Sequence, residues 1–379
     1  MNINIFGSTG IIGSKTLDII KNYFPSIKIN LLCANTNVRK LIDQINFYSP
    51  KYVYLNDYSK INFLKKNIKN NINILKPDEL TSYLTNSKSD LTLLAISGYE
   101  SLNYLDPILI NTKSLGLVSK EAIVSAGHLF KKFSKKNKNK IYPLDSEHFS
   151  IFQNINKNIL EINKVKLTAS GGPFLGQNYN SLKNISFLAA TKHPKWKMGY
   201  KNSIDSATMV NKCLELIEAH YLFNLPYAKL DIVIHPEAQI HSIFEYNNYI
   251  YNMVAFQNDM LIPIYSFLNQ KFKNNLNNNR FRISNNQSFN FHNVKHQEFP
   301  VFKFFKNLDK SDPSNIIKFN VGNEYAVKLF KNNKIRYTEI LKIITKITSI
   351  NIEYNLNNIK DIINYHELLE IKISEKFNY

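Results

Sequence analysis

The residues best placed to do chemistry form two groups far apart in the chain. The first is Asp145-Ser146-Glu147-His148, directly after Pro143-Leu144; the second is a helix-like run carrying Asn211, Lys212 and Glu215. Asp145, Glu147 and Glu215 offer oxygen ligands only, a set that selects Mg²⁺ or Mn²⁺ over zinc and leaves positions open for substrate oxygens. Spacing i, i+2 in an extended segment would send the Asp145 and Glu147 side chains to the same side. From Thr208 to Phe223, a step of about 100° per residue puts Thr208, Asn211, Lys212 and Glu215 on one polar arc. Met209, Cys213, Leu216, Ile217 and Tyr221 fall on the opposite, core-facing arc. Ser203-Ile204-Asp205-Ser206 supplies N-cap residue types, so backbone N–H groups and the Ser206 hydroxyl would be available to an anion. On spacing alone, an N-cap Asp, a surface Glu and an ordinary exposed helix face explain the same residues equally well.

A second chemical signal opens the chain. The apolar segment Ile3-Phe6 runs into Gly7-Ser8-Thr9-Gly10-Ile11-Ile12-Gly13 and then a helical pattern. Glycines there permit a tight turn and close backbone approach to a dinucleotide pyrophosphate, which the helix N-terminus then attracts. The spacing is GxxGxxG rather than GxGxxG, and the weight of the motif comes from its place at the first strand of an alternating domain. At the end of the second strand, where an NAD site carries Asp or Glu, stand Ala34-Asn35-Thr36-Asn37 with Arg39 close behind. Amides, a hydroxyl and a cation with no repelling anion favour NADP over NAD.

The elements that must position these groups follow from periodicity. Strand-like Ile3-Phe6, Ile29-Ala34, Tyr52-Leu55, Leu91-Ala95 and Leu115-Val118 alternate with helix-like segments including Thr16-Tyr23 and Val38-Tyr48. That rhythm predicts a doubly wound parallel sheet. Lys131 to Lys140 reads as a helix end and an exposed loop. Strands Val165-Ala169 and Asp231-Ile234 bracket the helix at 208–223, and Ile240-Tyr246 with Ile250-Phe256 reads as an antiparallel pair. Asn274 to about Gln297 has linker composition, and Ser314 to Tyr379 shows only helical periodicity, notably Glu324-Phe330 and Tyr337-Ile347. The expectation is an α/β chain: an N-terminal Rossmann-like parallel sheet (1–144), a central α+β catalytic and dimerisation domain (145–272), a linker (273–299) and a small C-terminal helical domain (300–379).

Length and composition bound the classes. At 379 residues and 44% hydrophobic content the chain can pack two or three cores. The formal charge of +19 is spread among Asn, Ile and Tyr along the whole length instead of forming a stripe, which argues for a solvated surface and against a nucleic-acid partner. The two cysteines, Cys33 and Cys213, sit in buried-strand and helix patterns, so no disulfide framework is expected. Met1 leads straight into an apolar strand, which predicts no signal or transit segment, and no apolar run reaches membrane-spanning length. A cytoplasmic protein with no membrane partner is the resulting expectation.

At these residues the chain resembles the 1-deoxy-D-xylulose 5-phosphate reductoisomerases, NADPH- and metal-dependent enzymes of isoprenoid biosynthesis. Matching segments run in order through nearly the whole chain: Gly7-Ser8-Thr9-Gly10 with Gly13 and Thr16-Leu17-Asp18, Ser119-Lys120-Glu121, Asp145-Ser146-Glu147-His148 and Leu167-Thr168-Ala169-Ser170-Gly171-Gly172-Pro173-Phe174. The series continues with His193-Pro194, Trp196, Asp205-Ser206-Ala207-Thr208, Asn211-Lys212, Glu215, His235-Pro236, Ile240-His241-Ser242 and Asn323-Glu324. Position by position, the resemblance implies that Asp145, Glu147 and Glu215 bind one divalent Mg²⁺ or Mn²⁺ ion, and that Ser146 and Lys120 contact substrate. It implies that Ser170, Ser206, Asn211 and Lys212 hold the substrate phosphate and His193 a hydroxyl. Lys120, Asp145, Glu147, His193 and Glu215 would form the catalytic set.

The resemblance further implies that Thr9, Gly10, Ile11 and Ile12 meet the NADPH pyrophosphate, Asn35, Thr36 and Asn37 the adenosine side, and Ser119, Glu121 and Gly199 the remainder. The segment from His193 to Lys201, with the single Trp, resembles the family's lid, and a homodimer is expected. The implied reaction rearranges the carbon skeleton of 1-deoxy-D-xylulose 5-phosphate at the metal and reduces the resulting aldehyde to 2-C-methyl-D-erythritol 4-phosphate. His148, His235 and His241 stand near this shell as orienting or structural residues. The chain departs from the family pattern at Ile11 (Ser), Ser119 (Asn), Glu237-Ala238 (Gln-Ser) and after Asp259-Met260, where an Arg is missing. A semialdehyde dehydrogenase would instead need a nucleophilic Cys, and Cys213 faces the core arc.

Overall fold

The structure, a computed structural model, describes the chain except residues 70–71, 138–139, 156–158, 196–198, 273–287 and 378–379, and the side chains at 131–137, 140 and 159. Trp196 and most of the expected linker therefore lie outside the described residues. Two compact units form: Met1–Ala122 with Lys131–Asp145 and Asp259–Asn277, and Ile123–Phe130 with Ser146–Asn258 and Asn278–Tyr379.

The first unit is built on seven strands: β1 (Asn2–Phe6), β2 (Lys28–Ala34), β3 (Tyr52–Leu55), β4 (Asn73–Leu75), β5 (Ser89–Leu94), β6 (Thr112–Leu117) and β7 (Lys140–Pro143). They pair in the order β4-β3-β2-β1-β5-β6-β7, every pair parallel. The expected doubly wound sheet is there, and its strand order reverses between β1 and β5, the switch point at which such sheets bind ligands. Both faces of β1 and β2 are covered: Ile3, Ile5, Leu31 and Leu32 are fully buried, and Asn4 is buried too, accepting from the Tyr83 hydroxyl. The helix Val38–Tyr48 buries Val38, Leu41, Ile42 and Ile45 against this sheet, and the helix Leu261–Leu268 adds Ile264, Phe267 and Leu268 to the same core. Two short strands escape the sequence reading. Over Lys131 to Lys140 the expected helix end is there, since the helix Lys120–Asn137 covers most of the stretch; β7 starts at its last residue and pairs with β6.

The second unit holds a mixed sheet of β8 (Ile162–Ala169), β9 (Leu230–Ile234), β10 (Ile240–Tyr246), β11 (Tyr251–Ala255) and β12 (His292–Asn293), in the order β11-β10-β8-β9-β12. β8 and β9 are parallel, and the other pairs are antiparallel. Three long helices, Pro313–Lys331, Ile340–Thr348 and Ile359–Lys376, fill the C-terminal part, as the periodicity predicts. At Gly322 the first two touch so closely that a Cβ would stand 3.2 Å from the Ile344 Cα. Among the described residues no helix is long and apolar enough to cross a membrane.

Two local expectations are corrected. Ser146 and Glu147 are not extended but open the helix Ser146–Asn154, with Asp145 in the bend before it. Ser203 to Ser206 do not cap the following helix; they lie inside a separate helix, Tyr200–Ala207. The chain breaks at Met209, whose φ of 69° is left-handed, before Val210–Phe223 begins. A non-glycine residue in that region costs energy that surrounding contacts must offset, and Met209 is fully buried.

Candidate active site

Glu147 and Glu215 approach each other through Lys212. The Lys212 Nζ donates to Glu147 Oε1 at 2.8 Å and to Glu215 Oε2 at 2.6 Å, and the three side chains are nearly solvent-free. The helix face expected to be polar is indeed polar, but it is buried: Glu215 is 1% exposed and Glu218 2%. An ordinary exposed helix face is thereby excluded. Asn211 Nδ2 donates to Glu215 Oε1, and the Ser146 hydroxyl donates to Glu147 Oε2. Burial by itself would raise the Glu147 carboxyl, but Lys212 and His241 outweigh it and hold the group well below its ordinary value.

Histidines complete this shell. His241 Nδ1 stands 3.6 Å from Glu147 Oε1, with its ring stacked on Phe256 and Nε2 against the Phe256 carbonyl. His148 Nε2 meets the Glu215 carbonyl at 2.8 Å, bracing the helix that carries Glu215 against Ser146–Asn154. His235 stands apart, bonded to Glu237 and Asn290 at the β9 end. Asp145 is bonded covalently to Ser146, so the backbone brings it to the head of the helix that carries Glu147. One ligand oxygen from each of Asp145, Glu147 and Glu215 lies within 4.8 Å of the others. Asp145 also accepts from Lys120 Nζ at 2.8 Å.

A second cluster gathers Ser170, His193 and Ser206. His193 Nε2 lies 3.0 Å from Ser170 Oγ and 3.1 Å from Ser206 Oγ, so two hydroxyls and an imidazole converge from three segments. Burial, then the neighbouring Lys212, depress His193 to about 4, partly opposed by Glu147, and the ring is neutral at ordinary pH. Gly172 makes this convergence possible: at φ 66°, a Cβ there would sit 3.0 Å from the Ala207 Cα and 3.1 Å from the Ser206 carbonyl oxygen. Sequence reasoning missed the buttress behind it. Asn323 Nδ2 donates to Asp205 Oδ1 at 2.7 Å, and the Tyr337 hydroxyl donates to the Ala207 carbonyl at 2.8 Å. Asn323 had a motif to signal it; Tyr337 had none.

At the switch point of the first unit, Gly7 N and Ser8 N both donate to the Cys33 carbonyl at 2.9 Å, tying the turn to β2. Gly7 has φ 79°, and a Cβ on it would meet the Ala95 oxygen at 2.3 Å; one on Gly13 would meet the Gly7 oxygen at 2.2 Å. Such a cradle admits only glycine, and the N-terminus of the helix Ile11–Tyr23 carries no side-chain cap. Thr9 and Ile12 are half-buried beside exposed Gly10 and Ile11. Asn35, Thr36 and Asn37 lie exposed past β2, with Asn37 capping the next helix through Lys40 N. Ser119, two residues past β6, is buried and donates to Ser101, with Glu121 half-buried beyond it. Gly199 belongs to the second unit, at the N-cap of Tyr200–Ala207.

Family models for 1-deoxy-D-xylulose 5-phosphate reductoisomerase match residues 3–127, 141–223 for the C-terminal domain, and 257–370 for a further C-terminal domain. A reductoisomerase of that name from Pelagibacter ubique (strain HTCC1062) is 38% identical, covering 98% of each chain. The chain belongs to the 1-deoxy-D-xylulose 5-phosphate reductoisomerase family. A Clostridium tetani member is 36% identical over the full length of both chains. Among solved reductoisomerases, the Zymomonas mobilis protein in complex with NADPH superposes with a TM-score of 0.88 at 29% identity, over 98% of this chain and 97% of that one. A complex with NADPH, fosmidomycin and magnesium gives 0.89 at 28% identity, over 99% and 98%.

The residues of this reductoisomerase fit both groups its family uses. Three hard carboxylate donors suit Mg²⁺ or Mn²⁺, and the Lys212 ammonium shows that Glu147 and Glu215 already hold a cation between them. The glycine cradle suits a pyrophosphate.

Proposed function

We propose that this reductoisomerase converts 1-deoxy-D-xylulose 5-phosphate to 2-C-methyl-D-erythritol 4-phosphate with the site residues assigned above. The convergence of three carboxylate oxygens around buried Glu147 and Glu215 carries the reading. Asp145, Glu147 and Glu215 hold the divalent ion, either Mg²⁺ or Mn²⁺. When bound, the ion supplies Lewis acidity toward the ketone and hydroxyl oxygens, and NADPH supplies the hydride.

The remaining roles belong to the side chains. Ser170, Ser206, Asn211 and Lys212 anchor the phosphate away from the reacting carbons, so that binding energy orients the sugar. Neutral His193, already between two hydroxyls, holds a substrate hydroxyl, while Ser146 and Lys120 contact the substrate beside Asp145. Thr9, Gly10, Ile11 and Ile12 receive the pyrophosphate; Asn35, Thr36 and Asn37 face the adenosine; Ser119, Glu121 and Gly199 meet the rest of NADPH. Residues 1–144 carry cofactor binding, with the helix Leu261–Leu268 packed into their core; 145–272 otherwise carry catalysis and dimerisation, 273–299 link onward and lend β12 to the second sheet, and 300–379 form the C-terminal helical part.

The working form is a cytoplasmic homodimer. Its support is β11, which among the described residues pairs on one side only and exposes Tyr251 and Met253 beside Tyr249 and Ile250, an apolar edge that a second copy would cover. The test follows NADPH absorbance with purified protein, 1-deoxy-D-xylulose 5-phosphate and Mg²⁺ or Mn²⁺. Metal-dependent oxidation is expected, and no oxidation with either ion would overturn the reading.

A further inference from the structure

Past β2 and β3, two neighbouring loops of the first unit are joined by Lys60 and Asn56, which have no role in the reading above. Lys60, in the short helix Tyr58–Lys60 after β3, reaches back so that its Nζ donates to the Thr36 carbonyl at 3.0 Å. The same ammonium pairs with Asp57 Oδ2 at 2.8 Å and remains 41% exposed at the side chain. Asn56 Nδ2 donates to Asn35 Oδ1 at 3.1 Å, with its own oxygen held by the Tyr54 hydroxyl at 3.0 Å. Asp57 N bonds the Asn35 carbonyl at 3.0 Å. The loop that follows β2, where a dinucleotide site meets the adenosine ribose, thus has a lysine fixed against its backbone from the neighbouring element.

In this fold the group at the end of the second strand decides between a free ribose hydroxyl and a 2′-phosphate: an acid grips the hydroxyl, a cation accommodates the phosphate. No acid lies within Asn35-Thr36-Asn37. The nearby carboxylate, Asp57, is engaged by Lys60 and by the Ser59 hydroxyl at 2.5 Å. Arg39, three residues beyond Thr36 in the chain, is exposed, and the Lys60 side chain stays 41% exposed beside Asp57. We propose that Lys60 binds the 2′-phosphate of NADPH and sets the preference for NADPH over NADH. This rests on the reading that the first unit takes a dinucleotide at its glycine turn.

Direct binding tests it without turnover. Wild type, Lys60→Gln, Lys60→Arg and Asn56→Ala are titrated calorimetrically with NADPH, NADH, adenosine 2′,5′-bisphosphate and AMP, in the absence of substrate. Lys60→Gln is expected to lose about tenfold in affinity for NADPH and the bisphosphate, one charge-assisted bond, while NADH and AMP change by less than about twofold. Lys60→Arg keeps the preference, and Asn56→Ala, which cuts a side-chain tie between the loops that carries no charge, keeps the NADPH-to-NADH ratio. Equal weakening of all four ligands by Lys60→Gln, no change with any of them, or an Asn56→Ala ratio shift as large as that of Lys60→Gln would overturn the proposal. A wild-type protein that binds neither dinucleotide, or binds both equally well, instead overturns the cofactor reading beneath it.

Discussion

The glycine turn, suited to an anion, and the acidic site, suited to a cation, are built for charged ligands in opposite ways. The turn is made of backbone: consecutive residues, an uncapped helix N-terminus, and two glycines whose missing side chains leave room. The acidic site is made of buried side chains from distant segments, each holding its neighbour in place, with Lys212 between Glu147 and Glu215. A backbone site tolerates changes to most side chains but not to its glycines. A side-chain site fails when any one ligand is lost, because the partner left behind is a buried, uncompensated charge.

The sharpest way to break the comparison is Glu147→Gln. Turnover should fall by at least about a hundredfold while NADPH affinity is unchanged, checked by steady-state rates beside a fluorescence titration of NADPH. Full activity would refute the ligand assignment. Next comes Gly7→Ala, which places a Cβ against the Ala95 oxygen at a positive φ. It should cost well over about 1 kcal/mol and remove NADPH binding. Mn²⁺ binding, followed by electron paramagnetic resonance, should persist; its loss would show that the two regions are not independent.

A subtler difference concerns protons. His193, depressed to about 4 by burial and Lys212, is neutral in the folded protein, whereas the unfolded side chain titrates near its ordinary value of about 6.5. The unfolded state then binds more protons, so the contribution of His193 to stability is complete above about 6.5 and is lost as pH falls through about 4. Nitrogen NMR of the metal-free protein should place its midpoint near the lower value, and His193→Gln should flatten the acid limb of thermal stability. The smallest expected effect is Asn37→Ala, which removes the cap on the Val38–Tyr48 helix. It should cost about 1 kcal/mol in denaturant unfolding and leave metal binding untouched.

The first unit was the more legible. β3 and the helix Val38–Tyr48 coincide with their expected limits, as β10 does in the second unit, because apolar periodicity and turn residues act over a few neighbours. Short β4 and β7 were not, although β3 is as short as β7; they lie at the two edges of the sheet, paired with β3 and β6. In the second unit, the residue types of the site were legible and its local geometry was not. Ser203 to Ser206 carry cap-like side chains and yet lie within a helix, because Asn323 and Tyr337, more than a hundred residues onward, bind Asp205 and Ala207 there.

By itself, the sequence determined the alternating strands and helices of the first unit, the glycines that only a tight turn can use, and the three carboxylates with their lysine. Those follow from local propensity, backbone sterics and donor chemistry. Only the tertiary structure decided that the polar face of Val210–Phe223 is buried, that Lys212 lies between two carboxylates, and that His193 meets Ser170 and Ser206. The reason is physical: a helix face is polar or apolar by composition, but whether that face meets water or other side chains depends on what distant parts of the chain pack over it.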